Sequence, residues 1–510
     1  MNFQSALRAL GFGFFQHPQL FVADFVDWLD RQVAVKARWL AACAAILALQ
    51  IILILKHEPW LDEYQSIQLA VQAPDISTLL DWLRYEGHPP LWYFVLRALS
   101  YVVDPLSALK LAALACALLL QGSILIASPF TRAERLLLAS SEFLLFEFLT
   151  VSRSTTLGAL LLVLAFVFWS RRGFWIVLAL LPMCDFLFGV LSCALVAIKW
   201  RDRTLWWPGV TLWVASGIVA GWTVLPAPDV VPALQGERSL LEVVRWGLSL
   251  SDLAVPLQGL GWPKWNDPPN YLIAIWGWLA FLALAWKMTE REPLYRGLLF
   301  GFTALTLVFS VGVYRLSPRH LMLIALLLIL LVWRSRRDGA LPQPAFRFWL
   351  VIVSTCGFVT AAINLWEPFD TAALAAAKID KLGLRQEHWM TFPDSRGSGV
   401  SAINGLRFER DGLHCMQSFV RWNYRSKITS LNGLYSYLRT EVDRHGKFYL
   451  LTSEDFENPP SDILISIANI PAGYDGYAYH LYAVGPNSVE RPISLPLCVP
   501  SQRPFTRLPS

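Results

Sequence analysis

The sequence predicts a polytopic α-helical membrane protein of about 11–13 transmembrane helices, followed by a soluble C-terminal α+β domain. Two observations predict it. Of 510 residues, 55% are hydrophobic and 16% charged, against roughly 25% charged in an ordinary soluble domain. Charge is also uneven: residues 365–510 hold 30 of the 81 Lys, Arg, Asp and Glu side chains, and the first 364 residues hold the other 51. The net charge of +5 comes from short basic clusters between apolar runs, which is the pattern of membrane loops. No basic stripe is present, so no nucleic-acid partner is expected.

Residues 1–38 mix Phe14, Phe15, Phe21, Phe25 and Trp28 with Asp24, Asp27 and Asp30. They lack the pattern of a secretory signal, so an interfacial or cytoplasmic segment is expected. The first apolar run, 39–55, follows Arg31, Lys36 and Arg38, which puts the N-terminus in the cytoplasm and His57 outside. Beyond it, Ile76, Leu79, Leu80 and Leu83 keep helical spacing, so short helices at the membrane surface are expected. Further runs occupy 91–103, 106–127, 135–149, 157–169, 174–198, 205–224, 271–286, 298–313, 321–333 and 348–363. Eleven single crossings would leave Arg132/Arg135 and Arg171/Arg172 outside, against the charge rule. Splitting 106–130 and 174–198 into hairpins gives thirteen crossings with both clusters inside, and this arrangement is preferred. The transmembrane domain is then 39–364, with a first outer loop at 57–90 and a long one at 226–270. Either count is odd, so residues 365–510 fall on the outer face too.

The tail shows helical spacing near 371–382 and 430–442 and strand-like alternation at 448–452 and 477–484. Cys43, Cys116, Cys184, Cys193 and Cys356 lie in apolar runs, and no CxxC or Cys/His metal spacing occurs. Cys415 and Cys498 alone fall in the polar tail; on an oxidising face they have the chemistry to pair, but sequence does not set their separation.

Chemistry concentrates in the first outer loop, HEPWLDEYQS at 57–66 and RYEGHPPLWYF at 84–94. It brings Asp62, Glu63, Glu86 and His88 to one membrane face. Ionisable groups beside a bilayer are costly, so four together mark a functional site, although headgroup solvation accounts for any one of them. Arg315, Arg319 and His320 in YRLSPRHL stand at the outer end of another run, where guanidinium forks suit a phosphodiester. Snorkelling accounts for the same residues without a ligand. Around the long outer loop, Arg245, Lys264, Trp262 and Trp265 suit sugar stacking, or simple anchoring at the interface. Arg153 faces outward only in the thirteen-crossing arrangement. Asp185 interrupts an apolar run, as a helix break, a partner within the bundle or a substrate contact.

The DE pair followed by EGHPPLWY at the start of the next run resembles the GT-C superfamily of membrane glycosyltransferases that use polyprenyl-phosphate sugars. The branch it looks like holds the protein O-mannosyltransferases and lipid A aminoarabinose transferases. FLTVSRSTTLGAL at 148–160 and SPRHL at 317–321 are similar to that family's serine/arginine and arginine/histidine segments. The resemblance covers most of 39–363 and is specific in the first loop. Two departures stand out: Gly87 separates Glu86 from His88, and Thr155 and Thr156 stand where a Tyr is common.

The resemblance implies a GT-C type fold and inverting sugar transfer from a polyprenyl-phosphate donor to a hydroxyl of a glycolipid, polysaccharide or protein. Such transfer needs a carboxylate to take the acceptor proton and cations to hold the departing phosphate. By match to the family's motif, Asp62 is the base, with Glu63 the alternative. Glu86 orients His88 or binds a sugar hydroxyl. His88, Arg153, Arg315, Arg319 and His320 meet the donor phosphate; Arg245, Lys264, Trp262 and Trp265 meet sugar or acceptor. No cofactor or metal is assigned, although the first-loop residues have donor types that suit a divalent cation. The expected setting is a bacterial inner membrane, with the active face and C-terminal domain in the periplasm and the lipid bilayer as a partner. The competing reading is a transporter or flippase of a lipid-linked saccharide, which would place charges near the midplane and show repeated halves. A non-catalytic scaffold would leave the DE and EGHPP elements unexplained.

Overall fold

Long apolar runs fold as helices because a helix satisfies its own backbone where no water is present. In the computed structural model, which describes residues 18–231, 238–257, 264–265, 271–457, 459–489, 491 and 494–509, they form a bundle with two distinct ends. An amphipathic helix α1 (Pro18–Val33) precedes α2 (Lys36–Lys56). The first loop contains α3 (Leu61–Gln72) and α4 (Ile76–Glu86), and α5 (Leu91–Leu99) follows its Pro-Pro pair. Next come α6 (Pro105–Ala127), α7 (Arg132–Ala139) with a π-helical turn (Phe143–Glu147), and α8 (Ser154–Val167). The rest of the bundle is α9 (Gly173–Leu180), α10 (Phe186–Arg201), α11 (Trp207–Thr223), α12 (Leu240–Ser249), α13 (Tyr271–Met288), α14 (Pro293–Gly312), α15 (Pro318–Arg337) and α16 (Pro344–Trp366). Proline opens α6, α14, α15 and α16, where its missing N–H costs no helical hydrogen bond.

Among the described residues, α2, α6, α14, α15 and α16 are each long and apolar enough to cross a membrane unaided. The others are shorter or broken. α15 runs through the middle of the bundle, with every residue from Leu321 to Trp333 buried.

Polar contacts at the two ends of the bundle show which segments share an end. α5 stays against the first loop: Arg97 Nη1 donates to Ala70 and Ala73 carbonyls at 2.8 and 2.9 Å. Just beyond α5, the Ser100 carbonyl accepts from Leu508 N at 3.0 Å. α6 is one unbroken helix of 23 residues and not a hairpin. The run at 174–198 is broken into α9 and α10 at Pro182, with Asp185 capping α10 through Leu187 N at 2.9 Å.

The Arg132/Arg135 cluster lies at the same end as α1. Arg132 Nη1 donates to Val33 and Ala34 carbonyls, both at 2.8 Å. The buried Glu134 carboxylate receives Arg336 at 3.1 Å and Arg347 at 3.0 Å, and Arg347 also reaches Asp27 at 2.8 Å. Arg334 pairs with Asp202 at 2.9 Å and Arg201 with Glu292 at 2.8 Å, which closes the same end across α10, α14 and α15.

Beyond α16, α17 (Ala372–Lys381), β1 (Trp389–Phe392), α18 (Gly397–Asn404), β2 (Phe408–Arg410), β3 (Cys415–Gln417), α19 (Leu431–His445), β4 (Phe448–Thr452), β5 (Leu464–Ile470) and β6 (Tyr479–Val484) build one sheet in the order β3-β2-β1-β4-β6-β5. β1 is parallel to β2 and β4, and the remaining pairs are antiparallel. Alternation along β4 divides the faces: Leu451 packs with α17 and α18, and Leu450 packs with Leu434 and Leu438 of α19. Cys415 and Cys498 form a disulfide.

Gly357 of α16 lets that helix lie directly on the α7–π-turn junction. A Cβ there would run into the Ser140 carbonyl and lie 2.7 Å from Glu142 N. Gly357→Ala is expected to cost about 1–3 kcal/mol by overpacking, read as a lowered thermal midpoint of the detergent-solubilised chain. Gly301→Ala, where a Cβ meets nothing within 4 Å, should leave it unchanged or raise it slightly.

Candidate functional site

The first turn of α3 points Asp62 at two arginines from distant segments. Its Oδ2 receives Arg153 Nη1 at 2.7 Å and Arg319 Nη2 at 2.9 Å. Arg153 is the residue before α8 and Arg319 the second residue of α15, so the three side chains stand at three helix N-termini. Two cations against one carboxylate, with amide dipoles pointing the same way, make a place that favours added negative charge. Trp60 floors it: the Arg319 and Arg153 guanidiniums lie 4.9 and 5.8 Å from its ring centre. Trp265 stands edge-on to Trp60 at 4.8 Å and donates its indole N–H to Glu147 of the π turn at 2.9 Å. Nε and Nη1 of Arg319 are buried with no hydrogen-bond partner, a costly state that an anion would relieve.

The other first-loop groups have separate surroundings. Glu63 is fully buried and its oxygens are taken by His57 Nε2 at 2.8 Å, Ser152 N at 2.6 Å and Trp60 N at 3.1 Å. These contacts join the loop to the segment that carries Arg153. Glu86 accepts from the Gln65 amide at 2.7 Å. Burial, reinforced by the nearby Asp62 charge, lifts its carboxyl to about 8. Burial presses on Asp62 in the same direction, but Arg153 and then Arg319 outweigh it and hold Asp62 below the usual carboxylate range. Two carboxyls of one loop thus differ in protonation at neutral pH, one charged and one bearing a proton. His88 Nδ1 lies 3.3 Å from Asp185 Oδ2, so the interrupting aspartate faces the imidazole.

His320 bonds back to Ser317 Oγ at 2.8 Å and caps its own helix, yet feels the charges of Arg319, Asp185, Arg153 and His88. Arg315 turns to Glu242 at 3.4 Å. Lys264 pairs with Glu367 and donates to the Gly473 carbonyl at 3.0 Å, tying the long outer loop to the tail. Arg245 is exposed on α12, and Trp262 lies outside the described residues. The structure therefore brings Asp62, Arg153, Arg319 and Trp265 together, sets Glu86 and His88 beside them, and gives Glu63, Arg315 and Lys264 other partners. Asp62, Glu63, Glu86 and His88 turn to different partners and do not converge as a set of metal ligands. Trp60, Gln65, Glu147 and Asp185 belong to the site as well. Trp60 stands two residues before Asp62, and Glu147 six before Arg153, so proximity in sequence was their available signal.

The tail domain roofs this end. Gln65, Gln68 and Gln72 repeat along one face of α3: Gln65 donates to Val420 O at 3.0 Å and Gln68 to Ser418 O at 2.9 Å. Gln72 accepts from Ser418 Oγ at 2.9 Å. Trp422 of the same segment hydrogen-bonds Glu86.

The sign of the pH effect follows from Glu86. Between 4.5 and about 8 the folded chain holds a proton that the unfolded chain releases, so this group's stabilisation is present below 4.5 and lost as pH rises through about 8. Glu86→Gln keeps the protonated shape at every pH. Its thermal midpoint should match wild type near pH 4.5 and exceed it above pH 8; parallel midpoints at both pH values would show that Glu86 is not held protonated.

No family model and no characterised protein matches the sequence. Among solved structures, the crystal structure of ArnT from Cupriavidus metallidurans bound to undecaprenyl phosphate is similar over 90% of this chain and 100% of that chain, with TM-score 0.45 and 12% identity.

Proposed function

We propose that the chain is an inverting membrane glycosyltransferase of the GT-C type, moving a sugar from a polyprenyl-phosphate donor to a hydroxyl acceptor at the face carrying α3 and the tail domain. The observation that carries this reading is the Arg153–Asp62–Arg319 cluster: one carboxylate beneath two guanidiniums, one of which keeps two buried donors unsatisfied. A phosphodiester would take those donors and compete with Asp62 for both arginines. Relieved of its cations, Asp62 becomes a stronger base. The acceptor oxygen then attacks the anomeric carbon, its proton passes to Asp62, and the bond from that carbon to phosphate oxygen breaks. The electron pair leaves with the lipid phosphate, whose charge Arg153 and Arg319 hold.

In this reading protonated Glu86 donates to a sugar hydroxyl, His88 adds charge near the phosphate, and Trp60 and Trp265 flank the sugar ring. Glu63 positions the loop and is not the base. The first-loop motif, and the placing of Arg132 at the end of the bundle that carries α1, support a bacterial inner membrane with the α3 face in the periplasm. The Cys415–Cys498 disulfide fits that oxidising side.

The test is sugar transfer by the purified chain in lipid nanodiscs, offered a panel of polyprenyl-phosphate sugars and an envelope acceptor extract. Asp62→Asn should lower kcat by about 10²-fold or more with the fold intact. Arg319→Lys should mainly weaken donor binding, because a point charge replaces the fork. Absence of transfer by wild type with every donor, together with movement of donor across the bilayer, would replace this reading with a transporter.

A further inference from the structure

Far along the chain from the Asp62 cluster, the tail domain gathers two carboxylates and two imidazoles about one point. Glu409 comes from β2, His414 from the turn before β3, and Glu441 and His445 from the last turns of α19. Spacing of four residues puts Glu441 and His445 on one face of α19. One ligand atom from each lies within 4.8 Å of all the others. His445 Nε2 is 2.9 Å from Glu441 Oε2 and 3.4 Å from Glu409 Oε2; His414 Nδ1 is 3.0 Å from Glu409 Oε1 and 3.7 Å from Glu441 Oε2. Four ligands at the usual bond lengths of tetrahedral zinc stand about 3.4 Å apart; the closest contacts here are near that value and the widest, at up to 4.8 Å, would draw in on binding.

Burial and charge agree with that geometry. Glu409, Glu441 and His445 are 0%, 1% and 2% exposed, while the His414 side chain keeps 36% exposure and gives a route from solvent. His445 Nε2 is buried with no hydrogen bond made in good geometry, although Glu441 Oε2 and Glu409 Oε2 lie beside it. Two carboxylates and two neutral imidazoles carry a charge of about −2, the complement of a divalent ion of borderline softness. His388 Nε2 lies 2.7 Å from Glu409 Oε2 and serves as the outer partner that orients a ligating carboxylate. His414 holds φ of +48°, a conformation that turns its ring toward Glu409 and that few residue types accept.

We infer that Glu409, His414, Glu441 and His445 form a structural site for a divalent transition-metal ion of the zinc class. Four protein ligands leave no open position, the mark of a structural site. The ion would tie the β2–β3 turn, beside the Cys415–Cys498 disulfide, to the C-terminal end of α19. One cation already competes there: Arg444 Nη1 lies 2.8 Å from His414 Nδ1 and 3.3 Å from both Glu441 oxygens. Its side chain is 48% exposed and is free to swing into solvent when a metal enters.

The test uses the full chain in detergent, without affinity tag, stripped with chelator and titrated with Co²⁺ alone. One Co²⁺ per chain is expected, with the visible absorption of a four-coordinate ion, removed by Zn²⁺. His445→Ala and Glu441→Gln should weaken binding by roughly tenfold or more. His480→Ala, a tail histidine bonded to Asn469, should leave it unchanged. Should the buried variants fail to fold, His414→Ala at the solvent edge decides. Arg444→Ala gives the opposite sign: a metal site binds Co²⁺ more tightly without the competing cation. No Co²⁺ spectrum in wild type, equal binding by folded His414→Ala, or an Arg444→Ala variant that loses stability while its Co²⁺ affinity is unchanged would each overturn the site in favour of a self-contained ion-pair network.

Discussion

The ion triad Arg153–Asp62–Arg319 is the constraint on which this end of the molecule depends. Removing three charges from bulk water costs several kcal/mol per ion, and only close mutual pairing offsets it. Asp62, Arg153 and Arg319 are therefore obliged to meet, and their meeting sets the first loop, the start of α8 and the start of α15 against one another. Glu63 repeats the constraint one residue on, because its buried oxygens hold His57, Trp60 N and Ser152 N. The loop is consequently anchored by one carboxylate while its neighbour stays partly open, with 27% of the Asp62 side chain exposed.

The tail domain is fastened to that loop and not merely tethered after the last pass. The Gln face of α3 bonds to backbone groups of the tail, and Tyr64 joins the tail's own apolar core beside Ala372 and Val400. Neutral amides suit such a seam: they satisfy buried carbonyls without placing further charge beside the triad. At the opposite end, the buried Glu134 collects Arg336 and Arg347, so each end has a carboxylate holding two arginines from separate segments.

Topology shows where reading by runs of apolar residues stops. The charge rule asks Arg132/Arg135 and Arg171/Arg172 to share an end with α1, and sequence offered several ways to satisfy it. Splitting 106–130 was one; the molecule instead keeps α6 whole and holds the nine-residue α5 against the first loop. Arg97 decides this, because its guanidinium is spent on first-loop carbonyls, and no pattern of hydropathy carries that information.

The sequence by itself determined the helical body, the sheet-bearing tail, and the loop that holds Asp62, Glu86 and His88, because composition, run length and charge bias act locally and survive any packing. Tertiary structure alone decided which of those side chains share a space. Asp62 and Arg319 are 257 residues apart, and it is Arg319 that meets Asp62 while Arg315, three residues before α15, turns to Glu242. Tertiary structure also separated two neighbouring acids, one buried among backbone donors and one beneath guanidiniums, since burial and field depend on neighbours that the chain brings together only when folded. The same holds in the tail, where Glu409 and His414 reach Glu441 and His445 through the meeting of a strand turn with a helix end.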